Sequence, residues 1–213
     1  MIVEFTNKDG KQIVVAIIEA IQKNKDYLSE VDGAIGDGDH GINMNKGVTL
    51  ALEEINNTEN LYASLGVLAK VLMNKIGGSM GPLYGSIFMG MQMACKDKEI
   101  IDGSVIGSML TQAYENIKMI SNAKPNDKTL VDVLDPSVAA YQNVYAQSKD
   151  VKKALLACKK AAHEGMLATI PMQAKLGRAS RLGEKSIGYQ DAGATSCAIM
   201  IETLCETAIS LMA

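Results

Sequence analysis

The chain has 213 residues and a mass of 22.7 kDa, which fits one large domain or two small ones. Hydrophobic residues make up 47% and charged residues 21%, a balance that excludes disordered and fibrous classes. The net charge of −3 gives no reason to expect a nucleic acid or an anionic membrane as a partner. Aromatic residues are scarce at 4% while methionines number 13, which favours packed helices over a β-sandwich or β-barrel.

The cysteines and the N-terminus indicate the compartment. The four cysteines lie far apart or within apolar helical patterns and form no CxxC pair, so we expect buried, reduced thiols. The N-terminal sequence MIVEFTNKDG has no basic segment followed by an apolar one. No uncharged apolar run reaches the length of about 18 residues that a membrane span needs. These features predict a cytoplasmic protein. The cysteines are Cys95, Cys158, Cys197 and Cys205.

Apolar residues recur at helical spacing through most of the chain, and clusters of Gly, Pro, Asn and Asp interrupt them. Short connections favour antiparallel neighbours. The sequence therefore predicts an all-α fold, an eight-helix antiparallel up-and-down barrel or bundle, as a single domain over residues 1–213. The predicted segments are approximately 10–30, 42–56, 59–76, 82–96, 103–122, 131–148, 150–169 and 192–212.

Three loops contain more glycine and polar residues than a simple connection needs. We call residues 32–41 (DGAIGDGDHG) the carboxylate loop, residues 77–82 (GGSMGP) the glycine loop, and residues 173–193 (QAKLGRASRLGEKSIGYQDAG) the arginine loop. They follow the first, third and seventh predicted helices. If successive helices alternate in direction, the three loops lie at the same end of the fold and can form one site.

The carboxylate loop is a candidate metal site. Its glycines allow tight folding that brings Asp32, Asp37 and Asp39 together, and crowded carboxylates require cations. Hard oxygen ligands select Mg²⁺ or Ca²⁺, and the absence of a twelfth-position glutamate in an EF-hand register favours Mg²⁺. The alternative is a surface turn in which Asp39 caps the next helix.

The other two loops are candidate anion sites. Glycines before a helix expose backbone N–H groups, although Gly77 as a simple helix C-cap is the alternative for the glycine loop. Arg178 and Arg181, the only arginines in the chain, both lie in the arginine loop. A planar guanidinium suits phosphate recognition, and solvated surface arginines are the alternative. His40 can bond a phosphate or orient a metal ligand, whereas His163 is predicted to be a surface or core residue.

Four motifs together resemble the nucleotide-binding L subunits of bacterial dihydroxyacetone kinases. They are GDGDHGINMNKG at 36–47, GGSMGPLYG at 77–85, KPNDKTLVDVL at 124–134 and MQAKLGRASRLGEKSIGYQDAGATS at 172–196. This resemblance implies a barrel of eight antiparallel helices that holds ADP or ATP tightly, with two Mg²⁺ ions, at one end.

The resemblance also implies roles for individual residues. It assigns the metal to Asp32, Asp37 and Asp39, and a catalytic contribution to Arg178 and His40. The residues that it assigns to nucleotide binding are His40, Gly41, Ile42, Asn43, Ser79, Met80, Ser121, Leu130, Arg178, Asp191, Ala192 and Gly193.

The family further implies partners. A separate K subunit holds dihydroxyacetone, and a phosphohistidine protein of the phosphotransferase system, the M subunit, rephosphorylates the bound ADP in place. Two alternatives stay open: the same chemistry on another short ketose or polyol, and a nucleotide-loaded regulatory protein that binds a transcriptional regulator and transfers no phosphate.

Overall fold

The computed structural model describes residues 4–212. Residues 1–3, which belong to the N-terminal segment inspected above for a leader, and residue 213 lie outside the described part, so the predicted single domain over 1–213 is described except at its ends. Within residues 4–212 the chain forms nine α-helices and one short antiparallel pairing of two strands. Each helix from α3 onward packs against the next, and α9 packs against α1, so that the helices close a ring. The prediction of an all-α antiparallel helical barrel is confirmed.

The elements, in chain order, are β1 Phe5–Thr6, α1 Lys11–Lys23, α2 Lys25–Ile35, α3 His40–Ile55, α4 Leu61–Lys75, α5 Met80–Ala94, β2 Ile100–Ile101, α6 Gly103–Ile120, α7 Val131–Ser148, α8 Val151–Ala168 and α9 Ala192–Leu211. A 3-10 segment, Ala179–Ser186, lies inside the arginine loop.

Seven predicted segments correspond one to one to the helices from α3 onward, whereas the first is divided at Asn24 into α1 and α2. The side-chain amide of Asn24 donates to the carbonyl oxygen of Ala20 at 2.8 Å and so competes with the helical backbone pattern there. α2 also continues to Ile35, beyond the predicted end of the first helix. Asp32 therefore lies on the last turn of a helix and not in a loop.

The helices form because their apolar stripes meet inside the ring. In α1, Ile13, Val14, Ile17, Ile18 and Ile21 are all buried, at the spacing of one helical face. Side chains of Asn60, Asp102, Asp150 and Asp191 accept a hydrogen bond from the first turns of α4, α6, α8 and α9 respectively. Such caps fix where a helix begins and are each worth about 1 kcal/mol.

α7 and α8 approach closely near the end of the barrel where α7 begins. Pro136, inside α7, has no N–H to donate to the carbonyl of Asp132. Gly165 of α8 packs against that same carbonyl, and a Cβ atom at this position would lie only 2.3 Å from its oxygen. The two helices therefore meet backbone to backbone.

α9 is long and hydrophobic enough to cross a membrane by length and composition alone. In this fold it packs against α1, α7 and α8, and eleven of its residues are buried. Its apolar character thus serves the core. All four cysteines are buried free thiols, as predicted.

Candidate nucleotide and metal site

Residues of all three loops line one cleft of about 590 Å³ at an end of the barrel. The helices α3, α5, α7 and α9 all begin at this cleft, because alternate members of an antiparallel ring point the same way. A helix start has unpaired N–H groups and a partial positive charge. The end of the barrel where four helix starts meet is therefore suited to anions.

The three predicted metal ligands come together at this cleft. Oxygen atoms of Asp32, Asp37 and Asp39 lie within 4.8 Å of one another. Asp39 is the N-cap residue of α3, but its side chain makes no capping hydrogen bond, which argues against the alternative of a simple capping turn. At Gly36 a Cβ atom would meet a carboxylate oxygen of Asp32 at 2.3 Å, so a glycine is needed for this approach. The donor set consists of hard oxygen atoms and fits Mg²⁺.

Arg178 reaches this cluster from the arginine loop. Its guanidinium contacts the Asp37 carboxylate and lies 3.7 Å from that of Asp39. Arg181 is exposed and does not line the cleft. The two arginines therefore differ in position, although they are only three residues apart. Arg178 is the one placed to face a group bound between the arginine loop and the carboxylates.

The glycine loop contains glycines with different roles. Gly78 has a φ of +68°, which a glycine adopts readily, and both Gly77 and Gly78 have open space around them. Gly81 lies in the first turn of α5, and a Cβ atom there would lie 2.6 Å from the carbonyl oxygen of Ile76. α5 begins at Met80, two residues before the predicted position at Pro82. Gly77 directly follows the C-cap residue Ile76, but it lacks the positive φ of a helix-ending glycine, which argues against the alternative of a simple C-cap.

His40 is the first residue of α3 and is buried beneath the cleft. Its Nε2 lies 2.8 Å from the Ser196 hydroxyl, which in turn lies 2.6 Å from the Tyr84 hydroxyl. The Tyr84 hydroxyl also lies 3.0 Å from the carbonyl oxygen of Gly193, to which it can donate. Burial lowers the pKa of His40 to about 4, although the Asp32 carboxylate acts in the opposite direction. His40 is therefore neutral at pH 7 and fixed in orientation.

Sequence reasoning did not single out Tyr84 or Ser196. Both fall inside motifs quoted above, at 77–85 and 172–196, but no spacing along the chain relates two residues 112 positions apart. The hydroxyls of Ser180 and Ser186 donate to the carbonyl oxygens of Gly177 and Gly183 and so stabilise the arginine loop itself.

Lys128 is a further residue that sequence reasoning did not single out, although the cleft includes it. Its side chain is buried, and its Nζ donates to the carbonyl oxygens of Ser186 and Tyr189 at 2.6 Å and of Met172 at 3.1 Å. Lys128 lies in the KPNDKTLVDVL motif, but lysines are rarely buried, so its burial could not be predicted from the sequence.

Asp191 is the N-cap residue of α9 and accepts a hydrogen bond from the backbone N–H of Ala194 at 2.7 Å. Burial raises the pKa of Asp191 to about 6, while the Ala194 N–H and the Lys128 ammonium act to lower it. This carboxyl group thus titrates closer to neutrality than an ordinary aspartate.

Most of the predicted nucleotide-binding residues line the cleft, but two do not. Gly41 packs against α2, where a Cβ atom would clash with the carbonyl oxygen of Lys25, and the side chain of Ile42 is 54% exposed. The predicted residues that line the cleft are His40, Asn43, Ser79, Met80, Ser121, Leu130, Arg178, Asp191, Ala192 and Gly193, together with Asp32, Asp37 and Asp39.

A wider and more open groove of about 1330 Å³ lies near the start of α1 and the strand pair. Its lining contains both lysines and carboxylates, and the Lys11 ammonium donates to the carbonyl oxygens of Asn56 and Thr58. This mixed surface is typical of a solvated face.

Comparison with known proteins identifies the family of this chain. The DAK2 domain family matches residues 34–206. The ADP-binding subunit DhaL of the PTS-dependent dihydroxyacetone kinase of Lactococcus lactis is 39% identical over 190 residues, which cover 88% of this chain and 91% of the relative. The ADP-binding subunit DhaL of the PEP-dependent dihydroxyacetone kinase of Escherichia coli is 35% identical, covering 84% of this chain and 86% of the relative.

Longer kinases contain a similar segment. The D-erythrulose kinase of Mycolicibacterium smegmatis is 31% identical over 95% of this chain, which spans 37% of that enzyme. The crystal structure of the dihydroxyacetone kinase of C. freundii in complex with AMP-PNP and Mg²⁺ superposes with a TM-score of 0.65 and 22% identity, covering 92% of this chain and 33% of the other. At this identity the superposition establishes the fold alone.

The closed ring of antiparallel helices defines the fold class, an all-α helical barrel, which the matching region of the C. freundii dihydroxyacetone kinase structure shares. Within that class, the chain belongs to the DAK2 domain family, and it is similar over most of its length to the ADP-binding L subunits. The resemblance stated from the motifs is confirmed.

Proposed function

We propose that this protein is the nucleotide-carrying subunit of a dihydroxyacetone kinase. In this proposal, residues 1–213 act as one cytoplasmic domain that holds ADP and two Mg²⁺ ions in the cleft. A phosphohistidine protein of the phosphotransferase system phosphorylates the bound ADP, and the phosphoryl group then passes to dihydroxyacetone on a separate K subunit. One observation carries the proposal: three carboxylates, an arginine and four helix starts meet around a single cleft in a member of this family.

The carboxylates Asp32, Asp37 and Asp39 would hold the metal. Bound Mg²⁺ supplies charge neutralisation for the phosphate oxygens. The backbone N–H groups at Ser79 and Met80, where α5 begins, would bind phosphate oxygens directly. These groups require no covalent chemistry from the protein, in keeping with phosphoryl transfer by positioning.

Arg178 and His40 would act in different ways. The guanidinium of Arg178 would move from Asp37 to the transferring phosphoryl group and stabilise its negative charge. His40, neutral because it is buried, would not take up a proton at pH 7, so we assign it a hydrogen-bonding role. Ser196 and Tyr84 would hold its ring in place.

A partner must bring the acceptor to the cleft. The arginine loop lines the cleft through Leu176 and Arg178, and it exposes several apolar side chains, among them Leu176, Leu182, Ile187 and Tyr189, each at least 39% exposed. Lys175 and Lys185 are exposed on the same loop. An apolar patch rimmed by charge is typical of a protein-binding surface, which supports docking of the K subunit at this end.

A second acceptor is favoured by one specific observation. Three of the relatives that share this segment are erythrulose kinases, with 28% to 31% identity over at least 91% of this chain. The same nucleotide site can therefore serve another short ketose, if the partner subunit holds that ketose instead.

The purified protein tests the nucleotide proposal directly. Native mass spectrometry and ³¹P NMR should detect bound ADP or ATP with Mg²⁺, and the Asp37→Asn variant should retain less of both. An apo protein with no affinity for added ADP and Mg²⁺ would overturn the proposal.

Reconstitution tests the transfer. The chain with ATP, Mg²⁺ and dihydroxyacetone should give no product, and adding a K subunit should allow a single turnover of the bound ATP. Adding the phosphohistidine protein together with phosphoenolpyruvate and the phosphotransferase relay that phosphorylates it should give multiple turnovers. Replacing dihydroxyacetone by erythrulose separates the two acceptors. A nucleotide-loaded protein that transfers to neither acceptor would favour a regulatory role.

A further inference from the structure

Lys128 is a buried ammonium group at the wall of the cleft. Its side chain is 1% exposed, and the three carbonyl oxygens that accept from its Nζ belong to Met172, Ser186 and Tyr189. An ammonium group has three donors. All three are used on backbone carbonyls, so in this arrangement Lys128 has no N–H left for a phosphate.

The three carbonyls bracket Arg178 in the sequence. One precedes it by six residues, and the others follow it by eight and eleven. Further hydrogen bonds join the two limbs of the arginine loop near these points: the Ala174 N–H donates to the Ser186 hydroxyl at 2.9 Å, and the Gly188 N–H donates to the Ile170 carbonyl at 2.8 Å. The ammonium group of Lys128 thus forms hydrogen bonds on both sides of Arg178, near the two ends of the arginine loop.

The turn that carries Lys128 is itself held firmly. Lys128 and Asn126 have φ values of +61° and +71°, in the left-handed region that residues other than glycine seldom adopt. The carboxylate of Asp132, at the start of α7, accepts hydrogen bonds from the backbone N–H groups of Asn126 at 2.5 Å and Thr129 at 2.8 Å. A strained backbone persists only where its surroundings hold it, and here Asp132 does so.

Charge and burial fit this structural use. Burial lowers the pKa of Lys128, and the nearby Asp191 carboxylate partly offsets the effect. Burying a cation is costly unless its donors are satisfied. The carbonyl oxygens satisfy them only while the arginine loop stays closed, so opening the loop would break three charge-assisted hydrogen bonds.

We propose that Lys128 is the positioning residue of the arginine loop, which it holds in the geometry that presents Arg178 to the bound phosphates. The effect of Lys128 on nucleotide binding rests on the proposed function. Its structural effect on the arginine loop does not.

The first experiment measures the loop without any ligand. Backbone hydrogen exchange of residues 173–189 should become faster in Lys128→Met, while exchange in α5 and α9 stays as in the wild type. The matched control is Lys70→Met, which removes an exposed lysine of α4 and should leave the loop unchanged. Unchanged exchange of the loop in Lys128→Met would overturn the proposal.

The second experiment asks whether Lys128 acts through Arg178. The affinity for Mg·ADP is measured by calorimetry in the wild type, Lys128→Met, Arg178→Ala and the double variant. We expect Lys128→Met to weaken binding about tenfold or more in the wild-type background and much less in the Arg178→Ala background. Equal factors in both backgrounds would indicate a general structural effect and would overturn the positioning role.

Two further provisions separate a failure of this proposal from misfolding and from a failure of the proposed function. If Lys128→Met does not fold, as judged by circular dichroism, Lys128→Gln replaces it with the same criteria, because an amide retains two N–H donors. If the wild type itself does not bind Mg·ADP, the proposed function fails, and the exchange experiment alone decides whether Lys128 holds the loop.

Discussion

The guanidinium of Arg178 pairs with the carboxylate of Asp37, a residue 141 positions earlier in the chain. The same carboxylate belongs to the cluster suited to Mg²⁺. Without metal, Arg178 therefore acts as an internal counter-ion. A divalent cation must displace it before the carboxylate can serve as a ligand.

This competition gives the first prediction. Arg178→Gln should bind Mg²⁺ alone about two- to fivefold more tightly than the wild type, the scale of an exposed ion pair, and should bind Mg·ADP more weakly. Calorimetric titrations with Mg²⁺, with and without ADP, measure both effects. The control Arg181→Gln should alter neither affinity, because Arg181 lies outside the cleft. Weaker binding of Mg²⁺ alone by Arg178→Gln would contradict the competition.

The second prediction concerns thermal stability. Saturation with Mg·ADP should raise the Tm of the wild type, since a ligand at one hundred times its Kd stabilises the folded state by about 2.7 kcal/mol. EDTA should reverse most of this gain. Asp37→Asn should lose most of the shift and keep its helical circular dichroism, while Glu30→Gln, an exposed carboxylate of α2, should behave as the wild type. A full shift in Asp37→Asn would remove that residue from the metal site.

The third prediction separates two glycines of the glycine loop. Gly81→Ala should lower the free energy of unfolding by about 1–3 kcal/mol, because its Cβ would press against backbone carbonyls at the end of α4. Gly77→Ala should change it by less than about 0.5 kcal/mol, because that position is open. Urea unfolding of the two variants measures the difference. Equal effects would mean that the close approach of α4 and α5 relaxes without cost.

The fourth prediction is a pH dependence. The pKa of Asp191 is about 6 in the folded protein, above the usual aspartate value of about 3.9 in an unfolded chain. The folded state thus binds more protons between these values, and the stability from this group is greatest below pH 4 and decreases as the pH rises through 6. Asp191→Asn keeps a capping side chain but does not titrate. The difference in unfolding free energy between Asp191→Asn and the wild type, measured in EDTA, should therefore move in favour of the variant as the pH rises from 4.5 to 7. A constant difference in urea unfolding across that range would refute the shift.

The helical periodicity of the sequence was sufficient to predict most of the fold. Stripes such as Ile13 to Ile21 define both the helices and their buried faces, and short connections imply alternation in direction. The same reasoning brought the three loops to one end. It did not detect the break at Asn24, because that break depends on one side-chain hydrogen bond and not on hydrophobic periodicity.

The candidate site could likewise be predicted only in part. The clustered aspartates and the pair of arginines can be recognised in the sequence, because residue type and local spacing are enough to identify them. The hydrogen bonds of Tyr84 with Ser196, and of Lys128 with three distant carbonyls, join residues that only the closed barrel brings together. Nor does the sequence distinguish Arg178 from Arg181. That distinction arises because the loop places one side chain over the cleft and the other in solvent.

Because four helices begin at the cleft, many of its hydrogen-bond donors are backbone N–H groups that side-chain mutagenesis does not remove. Their N–H groups belong to the main chain, so replacing side chains one at a time leaves these donors in place. Alanine scanning of the cleft will consequently understate how strongly this end of the barrel holds an anion. The same backbone donors do not depend on side-chain identity, so the side chains around the cleft can change in evolution while the groups suited to an anion remain.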